Sequence, residues 1–299
     1  MPWLQITFTV DQGRAALFEA ALENAGALAV TFGDAGDDPQ LEPPPGAMPL
    51  WQAVRLVALF EDGVDAQTIA DGLAPHSLTP PLIEIVADRP WERVWLDDFR
   101  PTCFGRRLWV CPQGQPAGAP DAIVVDLDPG LAFGTGHHPT TALCLEWLDG
   151  DDLVGKAVLD YGCGSGILAI AARKLGAARV IAVDHDPQAI EATLSNAAAN
   201  AVNVGLSVCL STELAAVPTA PPVDVVIANI LAGPLIELAP LLMDRLRAGG
   251  DLVLSGVLED QVPGVTAAYG SCIDVAPVRL REGWALITGR KRAARHPCA

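Results

Sequence analysis

One segment of this sequence has the residue types and spacing that suit the binding of a nucleoside. In LDYGCGSGIL, Asp160 precedes three glycines at alternate positions, Gly162, Gly164 and Gly166. Glycines between a strand and a helix allow a tight turn and a close approach of backbone to ligand. The dinucleotide fingerprint G-x-G-x-x-G would need a third glycine where Ile167 stands. The spacing therefore favours a nucleoside without phosphates over a nicotinamide dinucleotide.

Two further polar residues follow buried strands later in the chain. The segment AVDHDP places Asp184 22 residues after Gly162. A carboxylate at a strand tip can accept both hydroxyls of a ribose, so Asp184 is the predicted ribose ligand. Asp186 is instead predicted to cap the helix that Pro187 opens. The segment VDVVIANILAGPL ends a strand at Asn229, whose amide offers an acceptor and two donors in a confined place. A turn or helix-cap role is the alternative for Asn229.

A glycine-rich segment, DLDPGLAFGTGHHPTTALCLEW, lies upstream of these motifs and is predicted to be a mobile loop leading into a helix. Thr140 and Thr141 stand at the start of that helix, where either could serve only as a cap. The adjacent His137 and His138 point apart in an extended loop, and no carboxylate completes a ligand triad with them. No metal site is predicted.

The elements that must position these residues alternate between strands and helices from about residue 101 to 299. The strands are nearly continuous apolar runs, which is typical of a mostly parallel sheet buried on both faces. Ligands of such sheets bind beyond the carboxyl ends of the strands, where the residues above are found. The segment GPLIELAPLLMDRLR is predicted to be one helix, ended by Gly249 and Gly250.

Residues 1–87 predict a separate small domain with the order β-α-β-β-α-β, a ferredoxin-like α+β sandwich. It contains no suggestive group of polar residues, so we interpret it as a substrate-recognition module, with dimerisation as the alternative. Residues 88–100, DRPWERVWLDDFR, predict a linker helix with its aromatic residues on one face. That face is expected to pack between the two domains, and an aromatic ligand cage is the alternative.

Charge and composition narrow the class of partner. The chain has a formal net charge of −17, and residues 1–100 contain 16 acidic and 5 basic residues. Nucleic-acid binding depends on neutralising phosphates, so this N-terminal region is not expected to grip RNA or DNA. It would attract a cationic partner, although a surface that only confers solubility is an equal alternative.

The location in the cell is predicted from three observations. Seven scattered cysteines, never spaced C-x-x-C, are typical of reduced thiols and indicate no zinc site. No signal peptide is visible at the N-terminus. Polar residues and prolines interrupt the most apolar stretch, 223–243, so no membrane span is expected. The prediction is a cytoplasmic protein.

Taken together, the motifs resemble those of class I S-adenosylmethionine-dependent methyltransferases. More specifically, LDPGLAFGTGHHPTT, LDYGCGSGILAIAARKLGA, DHDPQAI and ANILAGPL resemble the PrmA family, which methylates ribosomal protein L11 of the large subunit. The likeness extends over essentially the whole chain, from the opening MPW to the closing ITGRK. It implies a seven-stranded, Rossmann-like catalytic domain over residues 101–299, preceded by the small recognition domain and the linker.

The resemblance also implies an activity and a set of site residues. The family transfers methyl groups from S-adenosylmethionine to lysine ε-amines and the N-terminal α-amine of its substrate, up to trimethylation. Matching motifs place the cofactor contacts on Thr141, Gly162, Asp184 and Asn229. We further assign four residues of the glycine-rich segments to the cofactor site: Asp160, Gly164, Gly166 and Phe133. Asn229 is also the predicted catalytic residue, as an acceptor for the incoming amine.

Three other functions compete with this interpretation. A methyltransferase of the same class could act on a different protein or on a small-molecule amine, and the sequence does not separate the two. A non-enzymatic sensor of S-adenosylmethionine would have no use for an acceptor at Asn229. A nicotinamide oxidoreductase is disfavoured by Ile167 and by the poor placement of both tyrosines, Tyr161 and Tyr269.

Overall fold

The computed structural model describes residues 3–36, 49–86, 100–127, 136, 138–214 and 222–293. Contacts divide the chain into two compact units, Met1–Trp91 and Glu92–Ala299. The predicted linker helix, with its three aromatic residues, lies outside the described residues apart from Arg100. The predicted boundaries at 87 and 100 therefore stay predictions.

The N-terminal unit is a four-stranded antiparallel sheet with the strand order β2-β3-β1-β4. Its elements are β1 (Trp3–Asp11), α1 (Ala15–Asn24), β2 (Ala29–Asp34), β3 (Ala53–Glu61), α2 (Ala66–Leu73) and β4 (Leu82–Val86). Alternate residues of β1, Ile6, Phe8 and Val10, are fully buried in a core that includes Phe18 and Leu22 of α1. This alternation gives the sheet one apolar face, as period-2 patterning requires.

The C-terminal unit contains a large, mostly parallel sheet and a small sheet of three strands. The elements are β5 (Thr102–Phe104), β6 (Leu108–Pro112), β7 (Ile123–Leu127), α3 (Pro139–Gly150), β8 (Ala157–Tyr161), α4 (Ile167–Lys174), β9 (Arg179–Asp184), α5 (Pro187–Ala199), β10 (Leu206–Leu210), β11 (Val223–Asn229), α6 (Ala232–Glu237), α7 (Ala239–Arg245), β12 (Leu246–Leu258), α8 (Val262–Tyr269), β13 (Ile273–Val275), β14 (Arg279–Arg281) and β15 (Trp284–Lys291).

The large sheet has the order β10-β9-β8-β11-β12-β15-β13, with the short β14 paired to β15. Strands β10, β9, β8, β11 and β12 are parallel, and β15 runs antiparallel to β12. Two apolar clusters cover the two faces, and the central strand β11 is almost entirely buried. The strand order reverses between β8 and β11, so the loops that follow these two strands diverge and leave a crevice between them.

Two local predictions for this unit are wrong. The segment predicted as one helix forms α6 and α7, which meet at Leu238. Pro240 stands in the first turn of α7 and lacks the N–H that a continuous helix would need. Gly249 and Gly250, predicted to end that helix, lie inside β12, where the register against β11 shifts.

Five of the seven cysteines, Cys103, Cys111, Cys144, Cys163 and Cys209, are free thiols, as predicted. None of the described helices is long and apolar enough to cross a membrane.

Candidate active site

A cavity of about 390 Å³ opens at the carboxyl ends of β8, β9 and β11. This volume falls in the range of small-molecule sites. The lining residues come from the ends of β9 and β11, the loops after the three strands, and the first turns of α3, α4 and α5: Thr141, Gly162, Cys163, Gly164, Ile167, Leu168, Asp184, His185, Asp186, Gln188, Ala189, Asn229 and Ile230.

The glycine loop between β8 and α4 needs its glycines for conformation and for space. Gly162, Gly164 and Gly166 all have positive φ, at 80°, 53° and 81°. L-residues with a Cβ rarely adopt this region. A Cβ at Gly162 would in addition collide with the side chain of Ile230, which also lines the cavity. The loop therefore brings backbone rather than side chains to the cavity.

Asp184, at the tip of β9, is held by backbone amides. Its Oδ2 accepts from the N–H of Gly164 at 2.9 Å, and its Oδ1 accepts from the N–H groups of His185 and Asp186 at 2.7 and 3.1 Å. The side chain is almost buried but reaches the cavity wall. Asp186 caps α5 by accepting from the N–H of Gln188 at 2.9 Å, which confirms the cap prediction.

Asn229, at the tip of β11, is tied to the helix that follows the upstream loop. Its Nδ2 donates to Oγ1 of Thr141 at 3.1 Å. Thr141 is buried and both residues line the cavity. With the amide nitrogen engaged in this way, the carbonyl oxygen of Asn229 remains as an acceptor. The turn or cap alternative is not what the structure shows, since no cap hydrogen bond joins Asn229 to α6.

The first turn of α3 is organised by His138 rather than by a threonine. His138 occupies the N-cap, and its Nδ1 contacts Oγ1 of Thr140 at 2.7 Å and the Thr140 N–H at 3.4 Å. Its ring packs edge-on against Trp284, with centroids 4.9 Å apart. Burial lowers the pKa of His138, which favours the neutral ring. Thr141 is thus left to contact Asn229.

Asp160 lies behind the loop instead of on the cavity wall. It is completely buried at the end of β8, and its Oδ2 accepts from the N–H of Ala169 at 3.0 Å. Within the described residues its Oδ1 has no hydrogen-bond partner. Burial raises the pKa of Asp160 to about 7, with a smaller contribution from the charge of Asp184.

Replacing Asp160 with asparagine is expected to change how stability depends on pH. The amide can keep the bond to Ala169 but cannot ionise. In the wild type, the unfolded carboxyl ionises above about pH 4 and the folded one only near pH 7, so stability falls across that interval and then levels off. Each pKa unit corresponds to about 1.4 kcal/mol, so the free energy of unfolding of the variant, relative to that of the wild type, should rise by roughly 2–4 kcal/mol between pH 4 and 8.

Urea unfolding of both proteins at several pH values measures this difference, because all other titrating groups are shared. Parallel pH profiles for wild type and D160N would contradict the raised pKa.

The structure brings together five of the eight predicted site residues: Thr141, Gly162, Gly164, Asp184 and Asn229. Asp160 and Gly166 support the loop without lining the cavity, and Phe133 lies outside the described residues. The apolar surface that Ile167, Leu168 and Ile230 contribute to the cavity was not predicted from the sequence. All three lie within two residues of Gly166 or Asn229, so their position next to the motifs was a signal that could have identified them.

The charge of the cavity wall fits one class of nucleoside ligand better than another. Among the described lining residues there is no arginine or lysine, and two aspartates, Asp184 and Asp186, are present. A dinucleotide would bring phosphates to this acidic surface without a counter-charge. S-adenosylmethionine has no phosphate and carries a positive sulfonium, so glycine loop, strand-tip carboxylate and acidic wall fit it.

Comparison with known proteins agrees with this geometry. Residues 2–292 match the family described as ribosomal protein L11 methyltransferase (PrmA). The chain belongs to that family. The proteins named ribosomal protein L11 methyltransferase from Pseudomonas aeruginosa strain LESB58 and from Methylococcus capsulatus are 50% identical over 297 residues and 51% identical over 295 residues. These alignments cover 98% and 97% of this chain, and 100% and 99% of the relatives.

A solved structure supports the same assignment. The crystal structure of ribosomal protein L11 methylase from Lactobacillus delbrueckii subsp. bulgaricus is 31% identical, with a TM-score of 0.59, and covers 65% of this chain and 100% of its own. The predicted class I methyltransferase fold is therefore confirmed. Family membership also confirms the predicted enzyme class and its cofactor, S-adenosylmethionine.

Proposed function

We propose that this chain transfers methyl groups from S-adenosylmethionine to lysine ε-amines and the N-terminal α-amine of ribosomal protein L11, up to trimethylation. The observation that carries the proposal is 50% identity to a protein of that name over 297 residues. This identity spans both units and so includes the N-terminal one. A similarity confined to the catalytic unit would support the identity of the cofactor but not that of the substrate.

The cofactor site that we propose is the cavity at the carboxyl ends of β8, β9 and β11. Asp184 would accept the ribose hydroxyls, because its two oxygens retain lone pairs beyond the bonds to backbone amides. Gly162 and Gly164 would let the methionine portion approach the backbone, while Asp160 and Gly166 hold the loop in shape. Thr141, Asn229 and Phe133 complete the proposed contacts.

Bound S-adenosylmethionine supplies an electrophilic methyl group on a sulfonium, so the protein's main task is to align a neutral amine with it. A lysine with a pKa of about 10.4 is almost fully protonated at pH 7, and an apolar surrounding lowers that pKa. Ile230 and Leu168 provide apolar surface at the cavity. An N-terminal amine, with a pKa of about 7.7–8.0, needs less help.

Asn229 is the residue that we assign to the amine. Its Nδ2 donates a hydrogen bond to Thr141, so the amide is oriented with its carbonyl oxygen available as an acceptor. That oxygen would accept a hydrogen bond from the incoming nitrogen and orient the lone pair toward the methyl group. No dedicated general base is proposed, because a neutral amine attacks directly and loses its proton to solvent afterwards.

The N-terminal unit is the proposed recognition element. Its region of the sequence is strongly acidic, with 16 acidic and 5 basic residues among the first 100. Ribosomal proteins are basic because they bind RNA, so opposite charges would draw the substrate to this unit. The same acidity argues against a direct grip on nucleic acid. Because ribosomal proteins are its proposed substrates, we propose that the enzyme acts in the cytoplasm.

The direct test is methylation of defined substrates. The full chain is incubated with S-adenosylmethionine and undermethylated large-subunit ribosomal proteins, and intact-mass spectrometry follows each one. Mass increments of about 14 Da are expected on L11 alone, and raising the ionic strength should lower the rate. Cofactor binding without a mass increase on any ribosomal protein would refute the substrate and leave the fold assignment intact.

A further inference from the structure

Helix α5 carries a row of buried polar side chains on the face that packs against the rest of its unit. Thr193, Asn196 and the C-cap residue Asn200 are 0%, 2% and 3% exposed. Their spacing of three and four residues places them on one side of the helix. Burying polar groups is unfavourable unless they are hydrogen-bonded, so the partners of this row indicate what it does.

Two of the three side chains bond to successive carbonyls of the glycine loop. Oγ1 of Thr193 donates to the carbonyl of Gly164 at 3.0 Å. Nδ2 of Asn196 donates to the carbonyl of Ser165 at 2.9 Å. The N–H of Gly164 points the other way and donates to Asp184. The loop is thus held between α5 on one side and the tip of β9 on the other.

Thr193 also fixes the place where the loop enters α4. A Cβ at Gly166 would lie 2.8 Å from Cγ2 of Thr193 and 3.0 Å from its Oγ1. The Thr193 side chain therefore occupies the space that the missing side chain at Gly166 leaves. Thr193 therefore holds the short segment 164–166 at both ends, by the hydrogen bond at Gly164 and by close packing at Gly166.

We infer that Thr193 and Asn196 are positioning residues, which set the glycine loop in the conformation that receives the cofactor. The inference rests on the proposed cofactor site. Three glycines with positive φ give this loop more conformational freedom than any other residue type would. Without the two side-chain hydrogen bonds the loop populates other conformations. The apparent Kd for the cofactor then equals the intrinsic Kd divided by the fraction of molecules whose loop is in the binding conformation. Neither residue lines the cavity, so each acts through the loop.

The third member of the row, Asn200, has different partners. Its Oδ1 accepts from the N–H of Asp126 at 2.9 Å, and its Nδ2 donates to the Asp126 carbonyl at 2.6 Å. It therefore ties α5 to β7 rather than to the glycine loop. The inference is limited to Thr193 and Asn196 for this reason.

The test compares cofactor affinity in variants that remove or keep the Thr193 hydroxyl. Thr193→Val keeps the branched shape and loses the donor, whereas Thr193→Ser keeps the donor. Tyr269→Phe is the control, because the Tyr269 hydroxyl is also buried and donates to a carbonyl, that of Leu235, outside the glycine loop. Titration calorimetry with S-adenosylmethionine gives each Kd, and steady-state kinetics at saturating cofactor gives kcat.

We expect T193V to raise the Kd about tenfold, which corresponds to about 1.4 kcal/mol, because the glycine loop loses one of the hydrogen bonds that hold it. At saturating cofactor, kcat should change less than threefold. T193S keeps the donor but loses the methyl group next to Gly166, so its Kd should lie between those of wild type and T193V, and Y269F should bind within about twofold of wild type. Equal affinities for T193V and Y269F would overturn the inference. If T193V is not obtained folded, Asn196→Leu removes the donor to Ser165, and an unchanged Kd there would overturn it equally. A wild type that does not bind S-adenosylmethionine would overturn the proposed function as well.

Discussion

Replacing Gly162 with alanine is expected to weaken S-adenosylmethionine binding at least 100-fold. Gly162 has a φ of 80°, a conformation that costs an L-residue about 1–2 kcal/mol. The new methyl group would also collide with the side chain of Ile230, which lines the cavity beside the loop. To relieve the collision, either the loop or Ile230 must move, and both line the proposed cofactor site. Titration calorimetry measures the loss of affinity.

A matched control separates the collision from the backbone strain. Gly155 lies in the turn before β8 and has a φ of 76°, but a Cβ there would meet nothing within 4 Å. Gly155→Ala should therefore lose about 1–2 kcal/mol of stability and bind the cofactor normally. Circular dichroism checks that both variants are folded. Wild-type affinity in G162A would contradict the assignment of this loop to the cofactor.

Asn229→Ala is expected to lower kcat by roughly 10²–10³ while the Kd for S-adenosylmethionine changes less than tenfold. The loss in kcat follows because a fixed acceptor that orients a reacting group contributes several kcal/mol at the transition state and little in the ground state. Single-turnover methylation at saturating cofactor gives the chemical rate, and calorimetry gives the Kd.

Two variants bracket this result. Thr141→Val leaves Asn229 in place but removes the hydroxyl that engages its Nδ2, so a smaller loss of about tenfold in kcat is expected. Asn203→Ala changes an exposed asparagine in the turn before β10 and should leave both constants unchanged. If N229A loses kcat and affinity equally, Asn229 serves the cofactor alone.

Much of the catalytic fold was predictable because its signals are local. The apolar runs of β8, β9 and β11 mark strands buried on both faces, and the residues that follow them had to lie at one edge of a parallel sheet. The convergence of Gly162, Asp184 and Asn229 on one cavity follows from this edge. Their spacing in the chain alone does not give the distances between them.

The predictions fell short where the structure depends on contacts between segments distant in sequence, or on a single residue that interrupts a helix. Strands β5, β6 and β7 form their own sheet, and nothing in an isolated strand shows which sheet it joins. Pro240 is a helix breaker that the sequence shows plainly, but the apolar periodicity around it is typical of one continuous helix. The assignment of Asp160 to the cofactor stays a prediction, but its burial and its bond to the N–H of Ala169 in α4 could not be read from its place in the motif.

The position of β15 in the large sheet limits when the catalytic unit can finish folding during synthesis. Residues 284–291 insert between β12 and β13, although β13 is made earlier in the chain. A nascent chain that lacks these residues therefore leaves β12, β13 and β14 without the partner that β15 provides, and unpaired strand edges promote misassembly. The large sheet is therefore completed only after residues 284–291 have left the ribosome, later than the elements that form the cofactor cavity.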